Sequence, residues 1–219
     1  MGELLFVRHG QASFGAADYD KLSLLGWQQA RWLGEMLAPE GGFDHVVMGT
    51  HRRHRETAEA LLAAGMPAPD PVIDPGLDEM DYDQLYTDAE AAAIFPHLDP
   101  MMAESFRVTM PVMLAAWEAE GFATAHERYA DFRARIVGAV QAASQPGRRV
   151  LIVSSGGPKA VTLREVLGLD SARMSSLVLQ ILNSSVTRFD VRDDGLHLAE
   201  FNAVPHLADA DRAHARTHI

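Results

Sequence analysis

The stretch Leu4-Leu5-Phe6-Val7-Arg8-His9-Gly10 joins four apolar residues to an arginine, a histidine and a glycine. Four successive apolar residues predict a strand that is buried on both faces of a sheet. The polar residues follow the carboxyl end of that strand, which is where ligand sites lie in open α/β sheets. Arg8 offers a fixed charge and a fork of donors that suit phosphate, and Gly10 allows a sharp turn or a close approach to an anion. The stretch therefore predicts an α/β fold with phosphate chemistry at His9.

By itself the tripeptide Arg8-His9-Gly10 is a weak signal, because chance gives it to about one chain in a hundred at ordinary residue usage. A histidine that ends a strand is also an ordinary occupant of a protein core. The rest of the sequence has to distinguish a nucleophile at His9 from a core residue.

The composition is that of a globular protein with a full core. The chain has 219 residues, of which 47% are hydrophobic, enough for one domain or one domain with an insertion. Its formal net charge of −11 argues against a nucleic acid or an anionic membrane as partner, whereas a small phosphorylated substrate needs only a local arginine pocket. The chain has no cysteine, and its sequence shows neither a secretory leader nor an apolar span, so we expect a cytoplasmic protein.

Strand and helix patterns alternate along the chain. Apolar residues at helical spacing predict helices over residues 22–37, with Ser23 as the cap, and over residues 52–64, 88–121 and 126–143. Short apolar runs predict strands over residues 4–7, 45–48, 71–74, 149–153, 177–182, 185–191 and 196–201, and the last ten residues are expected to fray. The alternation predicts a single domain, a three-layer α/β/α sandwich with a mostly parallel central sheet.

Two further segments bear on a site. Residues 88–121 are rich in methionine and predict a helical insertion over the active face, either as loose core packing or as a lid that shapes the ligand pocket. The strand over residues 149–153 ends in Ser154-Ser155-Gly156-Gly157-Pro158. Pro158 suits the first turn of a helix, whose free amides and positive dipole end would face an anion.

Two linked blocks carry a resemblance to a known family. Val7-Arg8-His9-Gly10-Gln11 resembles the signature of the histidine phosphatase superfamily, the phosphoglycerate mutase-like group, and residues 22–30 resemble its following helix entry. The resemblance extends over nearly the whole chain. It implies the fold of that group, a phosphate site that includes Arg8 and Gln11, and His9 as a nucleophile that needs neither metal nor cofactor.

Two other blocks resemble the family's remaining site segments. Arg53-His54-Arg55-Glu56-Thr57-Ala58 resembles the helix with a second phosphate-binding arginine, here Arg53; the alternative is a solvated basic cluster with Arg52 and Arg55, which we expect at the surface. Leu77-Asp78-Glu79 resembles the segment that supplies the proton donor, here Glu79. Asp78, Asp81 and Asp83 lie nearby, so a solvated acidic loop is the alternative, and Asp83 stands where the family usually has glycine.

The sequence departs from the family pattern at two places near the expected phosphate. Ser155 stands where the family has a second catalytic histidine, and Gly49-Thr50-His51 replaces the usual Ser-Pro-Leu before the arginine helix. Ser155 can still hydrogen-bond a phosphate oxygen, but it supplies no positive charge. His51, His54 or His206 could substitute, although each is expected to be a surface residue.

The residues and the resemblance together predict a phosphatase that hydrolyses a small phosphomonoester through a phosphohistidine on His9. Its catalytic residues are expected to be Arg8, His9, Arg53, Glu79 and Ser155, and its phosphate contacts Arg8, Gln11, Arg53, Gly156 and Gly157. Two alternatives stay open. One is phosphoryl transfer of the phosphoglycerate mutase type, and the other is a non-catalytic protein that binds a phosphorylated ligand, since the second histidine is absent.

Overall fold

The computed structural model describes residues 2–13, 15, 18–95, 103–124 and 126–218, with the backbone alone for residues 103–105. Within these residues the strands are β1 (Gly2–Arg8), β2 (His45–Met48), β3 (Val72–Ile73), β4 (Arg149–Ser154), β5 (Val186–Arg192) and β6 (Gly195–Ala203). The helices are α1 (Leu24–Leu37), α2 (Arg52–Ala63), α3 (Tyr82–Ala91), α4 (Ala103–Glu118), α5 (Tyr129–Ala143), α6 (Gly156–Leu167) and α7 (Ser171–Val178). Short 3₁₀ helices lie at Ala38–Glu40, Pro75–Leu77, Pro205–Leu207 and Ala210–Ala215.

All six strands form one sheet in the order β3-β2-β4-β1-β5-β6. The strands β3, β2, β4 and β1 are parallel to one another, whereas β5 runs antiparallel to β1 and β6 runs antiparallel to β5. Arg8 on β1 pairs with Ser154 on β4. The next residues, His9 and Ser155, therefore leave two adjacent strands at the same edge of the sheet.

The alternation along β1 sends its side chains into two separate core layers. Leu5 and Val7 pack with α1 and α2, whereas Leu4 and Phe6 pack with α5 and α6, and all four side chains have no exposed surface. Burial of each such side chain contributes about 2 kcal/mol to folding. The predicted three-layer α/β/α sandwich with a mostly parallel sheet is confirmed.

A close backbone contact fixes the loop that follows β1. A Cβ atom on Gly10 would lie 2.4 Å from the carbonyl oxygen of Gly26 in α1, and one on Gly26 would lie 2.1 Å from that of Gln11. The amide of Gly10 also donates to Thr57 Oγ1 at 3.1 Å. In this structure Gly10 is required by the packing of α1 against the loop.

Two expectations from the sequence are wrong. Residues 177–182 were predicted to form a strand but contain the end of α7 and a turn. Asp170 caps this helix, and its residues Met174 and Ser175 are buried. A short apolar run does not by itself distinguish a strand from a buried helix. Residues 210–218 at the end of the described chain are held in place, since Ala215 is buried and the amide of Asn183 donates to the carbonyl oxygen of Thr217 at 2.8 Å.

The predicted helical segment over residues 88–121 contains the end of α3 and the whole of α4, and its residues 96–102 lie outside the described part of the chain. Within the described residues, none of the helices has both the length and the apolar character that crossing a membrane requires.

Candidate active site

A cavity of about 1330 Å³ lies beyond the carboxyl ends of β1 and β4. Its floor consists of residues that end or follow a strand or begin a helix: Arg8, His9, Arg53, Gly156 and Gly157. Its wall includes large apolar and aromatic side chains from the segments above the sheet, and the same segments also contribute charged residues such as Asp81, Asp83 and Arg107. The six apolar and aromatic wall residues are Met80, Tyr82, Phe106, Met110, Val178 and Leu179. The structure thus brings together the predicted site residues His9, Arg8, Arg53, Glu79, Gly156 and Gly157.

His9 is 4% exposed and presents one ring nitrogen to its own backbone. Its Nδ1 lies 2.7 Å from the carbonyl oxygen of Gly10, which assigns the ring proton to Nδ1 because a carbonyl can only accept. Burial, with Arg53 and Arg8 nearby, holds the pKa of His9 well below its usual range. The ring is therefore neutral at physiological pH and has an unprotonated Nε2.

The Arg8 guanidinium lies between the sheet and the start of α6. A Cβ atom on Gly156 would be 3.8 Å from Arg8 Nε, and Arg8 Nη1 donates to the carbonyl oxygen of Ile181. Its Nε has no hydrogen-bond partner among the described residues. Burial lowers the pKa of Arg8, but an arginine side chain stays charged in proteins. Arg8 also lines the cavity, so its positive charge can act on an anion there, while the buried Nε is an unsatisfied donor.

Arg53, in the first turn of α2, is 6% exposed and is held by an acidic residue. Its Nη1 lies 2.5 Å from Asp20 Oδ1, and its guanidinium lies 5.7 Å from the centre of the Tyr19 ring. The other carboxylate oxygen of Asp20 accepts the backbone amide of Arg52 at 2.7 Å, so one side chain supports both the helix end and the arginine. Arg52 and Arg55 are exposed, as predicted.

Glu79 lines the cavity and binds the start of α6. Its Oε2 accepts the amide of Gly157 at 2.9 Å, and its Oε1 accepts the amide of Met80 at 3.1 Å. The predicted free amide of Gly157 is therefore already engaged by a carboxylate. Arg135 on α5 donates to the carbonyl oxygen of Asp78 at 2.7 Å and so fixes the segment that carries Glu79.

The two other predicted contacts lie outside the residues that line the cavity. The side-chain oxygen of Gln11 accepts a hydrogen bond from the Ser23 hydroxyl at 2.9 Å, at the start of α1. The backbone amide of Gln11 donates to the side-chain oxygen of Gln29 at 2.8 Å. Ser155 is 1% exposed, and its hydroxyl lies 2.7 Å from Nε2 of His54. Both residues support the loops around the floor.

Two of the three histidines expected at the surface are buried. His54 is 0% and His206 is 4% exposed, and His51 is half-buried and lines the cavity. The position of His54 was readable from the sequence, since residues 54, 58 and 61 form one helical stripe that faces the core.

Other lining residues come from segments without a motif. Asp20 lies in the loop before α1, Asn183 lies before β5, and Thr217 and His218 come from the end of the described chain. Gln29 ties this last segment to α1, since its side chain donates to the carbonyl oxygen of Ala215 at 2.7 Å. No local sequence pattern marks such contacts, because they depend on the folding of distant segments.

The cavity wall is largely apolar and aromatic. The rings of Tyr82 and Phe106 have centroids 5.0 Å apart at an angle of 50°, and Met80 and Met110 lie beside them among the lining residues. Such a surface binds apolar or aromatic groups through burial and ring contacts. The site thus combines a cationic floor with an apolar wall.

Comparison with known proteins identifies the family. The family model for the histidine phosphatase superfamily (branch 1) matches residues 4–204, so the chain belongs to this superfamily, as the resemblance implied. No curated protein sequence matches the chain.

Solved structures share the fold. YhfR from Bacillus stearothermophilus is 21% identical with a TM-score of 0.69, and the match covers 94% of this chain and 99% of that chain. A mutant phosphoserine phosphatase from Entamoeba histolytica in complex with phosphoserine is 16% identical with a TM-score of 0.68, covering 94% and 100%. A mycobacterial glucosyl-3-phosphoglycerate phosphatase is 24% identical with a TM-score of 0.59, covering 92% and 98%.

Proposed function

We propose that this member of the histidine phosphatase superfamily hydrolyses a small phosphomonoester and that His9 carries the phosphoryl group between two half-reactions. The orientation of the His9 ring is the observation that carries the proposal. Nδ1 is bound to the carbonyl oxygen of Gly10, which leaves the Nε2 lone pair for the cavity that Arg8 and Arg53 also line. A neutral, oriented imidazole is a competent nucleophile at neutral pH.

In the first half-reaction, His9 Nε2 attacks phosphorus and forms an N–P bond while the P–O bond to the leaving group breaks. The guanidinium groups of Arg8 and Arg53 balance the charge on the phosphoryl oxygens. Glu79, in its protonated form, gives its proton to the leaving oxygen. The products are an alcohol or phenol and a phosphohistidine.

In the second half-reaction, water attacks the phosphohistidine and the N–P bond breaks. The Glu79 carboxylate takes a proton from the water, and inorganic phosphate is released with the free imidazole restored.

Hydrolysis is favoured over mutase chemistry, because a mutase has to keep water away from the phosphoryl group. A cavity of about 1330 Å³ leaves room for water beside a small substrate.

The proposal is tested with 4-nitrophenyl phosphate and a panel of alkyl and sugar phosphates. The wild-type protein should release phosphate, and His9→Ala should reduce the rate by at least about a thousandfold, since it removes the nucleophile. His197→Ala, which removes a partly exposed histidine from β6, serves as the matched control.

Rapid acid-free quenching with ³²P-labelled substrate should also trap a phosphoramidate that is labile in acid and absent from His9→Ala. If the wild-type protein and His9→Ala are equally inert over the whole panel, the hydrolase proposal is wrong. Binding of phosphate without turnover would then favour the non-catalytic alternative.

A further inference from the structure

His54 is a fully buried titratable side chain that the two half-reactions leave without a role. It is 0% exposed, and its ring centroid lies 5.8 Å from that of His9. Its Nε2 forms a 2.7 Å hydrogen bond with Ser155 Oγ. Burial of an imidazole costs free energy unless its polar atoms are satisfied, so its place beside the floor needs a physical reason.

The neighbouring backbone is shaped around this ring. A Cβ atom on Gly49 would lie 2.5 Å from Nδ1 of His54, so only glycine leaves room for the imidazole. Nδ1 faces Gly49 and has no hydrogen bond of good geometry within the described residues. Burial and the charge of Arg53 hold the pKa of His54 well below its usual range, which keeps the ring neutral. The bond with Ser155 is thus the main polar contact of this side chain.

The bond joins two parts of the floor that are far apart in sequence. His54 follows Arg53 in the first turn of α2, and Ser155 immediately precedes Gly156, where α6 begins. Ser155 makes no side-chain hydrogen bond to its own helix, although serine commonly does so at this position. Its hydroxyl is turned towards α2 instead, and it connects the N-terminal ends of both helices.

We propose that His54 is a positioning residue of the phosphate site: through the Ser155 hydroxyl, its imidazole holds the helix that carries Arg53 against the start of α6, beside His9. This inference rests on the proposed hydrolase function. The sequence lacks an imidazole at residue 155, and the neighbouring helix provides one that contacts the same residue. Misplacement of reacting groups by about 1 Å can cost about a hundredfold in rate, so a bond that fixes two sides of the floor acts on turnover.

A second buried histidine pair provides the comparison that separates positioning from core packing. His206 is 4% exposed, and its Nε2 lies 2.8 Å from Ser184 Oγ, almost the same geometry. His206 is not among the described residues that line the cavity. Ser184 contacts the site through its backbone amide, which donates to the carbonyl oxygen of His9 at 3.1 Å, a bond that does not involve the His206 side chain.

The experiment measures kcat, KM and Tm with 4-nitrophenyl phosphate for His54→Ala, Ser155→Ala, the double variant, His54→Gln and the control His206→Ala. We expect His54→Ala to lower kcat by roughly tenfold to a hundredfold. The double variant should be no slower than the slower single variant, because the two side chains act as one unit. His54→Gln should recover part of kcat, since its amide can reach the Ser155 hydroxyl.

His206→Ala should lower Tm as His54→Ala does and leave kcat within about twofold of the wild type. The inference is wrong if His54→Ala keeps the wild-type kcat, if the effects of the two single variants multiply, or if His206→Ala lowers kcat equally. A wild-type protein that neither hydrolyses the panel nor forms a phosphohistidine would instead overturn the proposed function, and this inference with it.

Discussion

The floor and the wall of the cavity are built in different ways. The floor residues follow strand ends or begin helices, and His9 and Arg53 are 4% and 6% exposed. The wall residues lie on α3, α4 and α7 or beside them, and none of the six belongs to a strand. Parallel strands fix where their carboxyl ends lie, whereas the wall depends on how segments above the sheet pack. From this difference we expect the floor to determine the chemistry and the wall to determine which molecule reaches it.

The largest expected effect tests the floor with two arginines of the same helix. Arg53→Ala should lower kcat/KM for 4-nitrophenyl phosphate by about a hundredfold to a thousandfold, because one of the charges that faces the phosphoryl group is lost. Arg55→Ala removes an exposed arginine that pairs with Glu59 and should change kcat/KM by less than about twofold. Equal losses in both variants would contradict the division between floor and surface.

A tenfold effect is expected at the wall, again with a control on the same helix. Phe106→Ala removes a ring from the aromatic pair with Tyr82 and should raise KM for an aryl phosphate by about tenfold, with little change in kcat. Inhibition by inorganic phosphate, which lacks a leaving group, should not change. Val108→Ala, which shortens a side chain that is 57% exposed, should leave KM unaltered. A fall in kcat at constant KM would place Phe106 in the chemistry.

The smallest expected effect is the loss of folding stability at low pH that the buried histidines cause. Burial and Arg212 lower the pKa of His206 to about 4, whereas an unfolded histidine titrates near 6.5. Between these values the unfolded chain binds more protons than the folded one, so stability falls as pH falls. From pH 7 to 5.5, His206 alone should cost about 1 kcal/mol of unfolding free energy.

Urea unfolding at the two pH values measures this cost. His206→Ala should lose about 1 kcal/mol less than the wild type between pH 7 and 5.5. The low pKa of His9 and His54 adds to the acid sensitivity in the same direction. A wild-type protein that gains stability on acidification would show that these rings are protonated in the folded state.

Most of the fold could be predicted from the sequence, because β1 and β4 are apolar runs and the helices between them have one apolar face. The floor followed for the same reason, since a strand end can be read from local sequence. The apolar run at residues 177–182 was wrongly predicted as a strand, because its length suits a strand or a helix, and the Asp170 cap favours a helix. Asp20, Asn183 and Thr217 reach the cavity through contacts between distant segments, which one sequence without its fold does not reveal.

The contact between Gly10 and Gly26 has a consequence for protein engineering. A glycine inside a helix is usually an inviting target, since replacing it with alanine stabilises the helix by about 1 kcal/mol. Gly26 lies in α1, but an added methyl group would meet the Gln11 carbonyl oxygen at 2.1 Å. The change would push aside the loop next to His9, so a routine thermostabilising design in α1 would disturb the proposed nucleophile through the backbone that follows it.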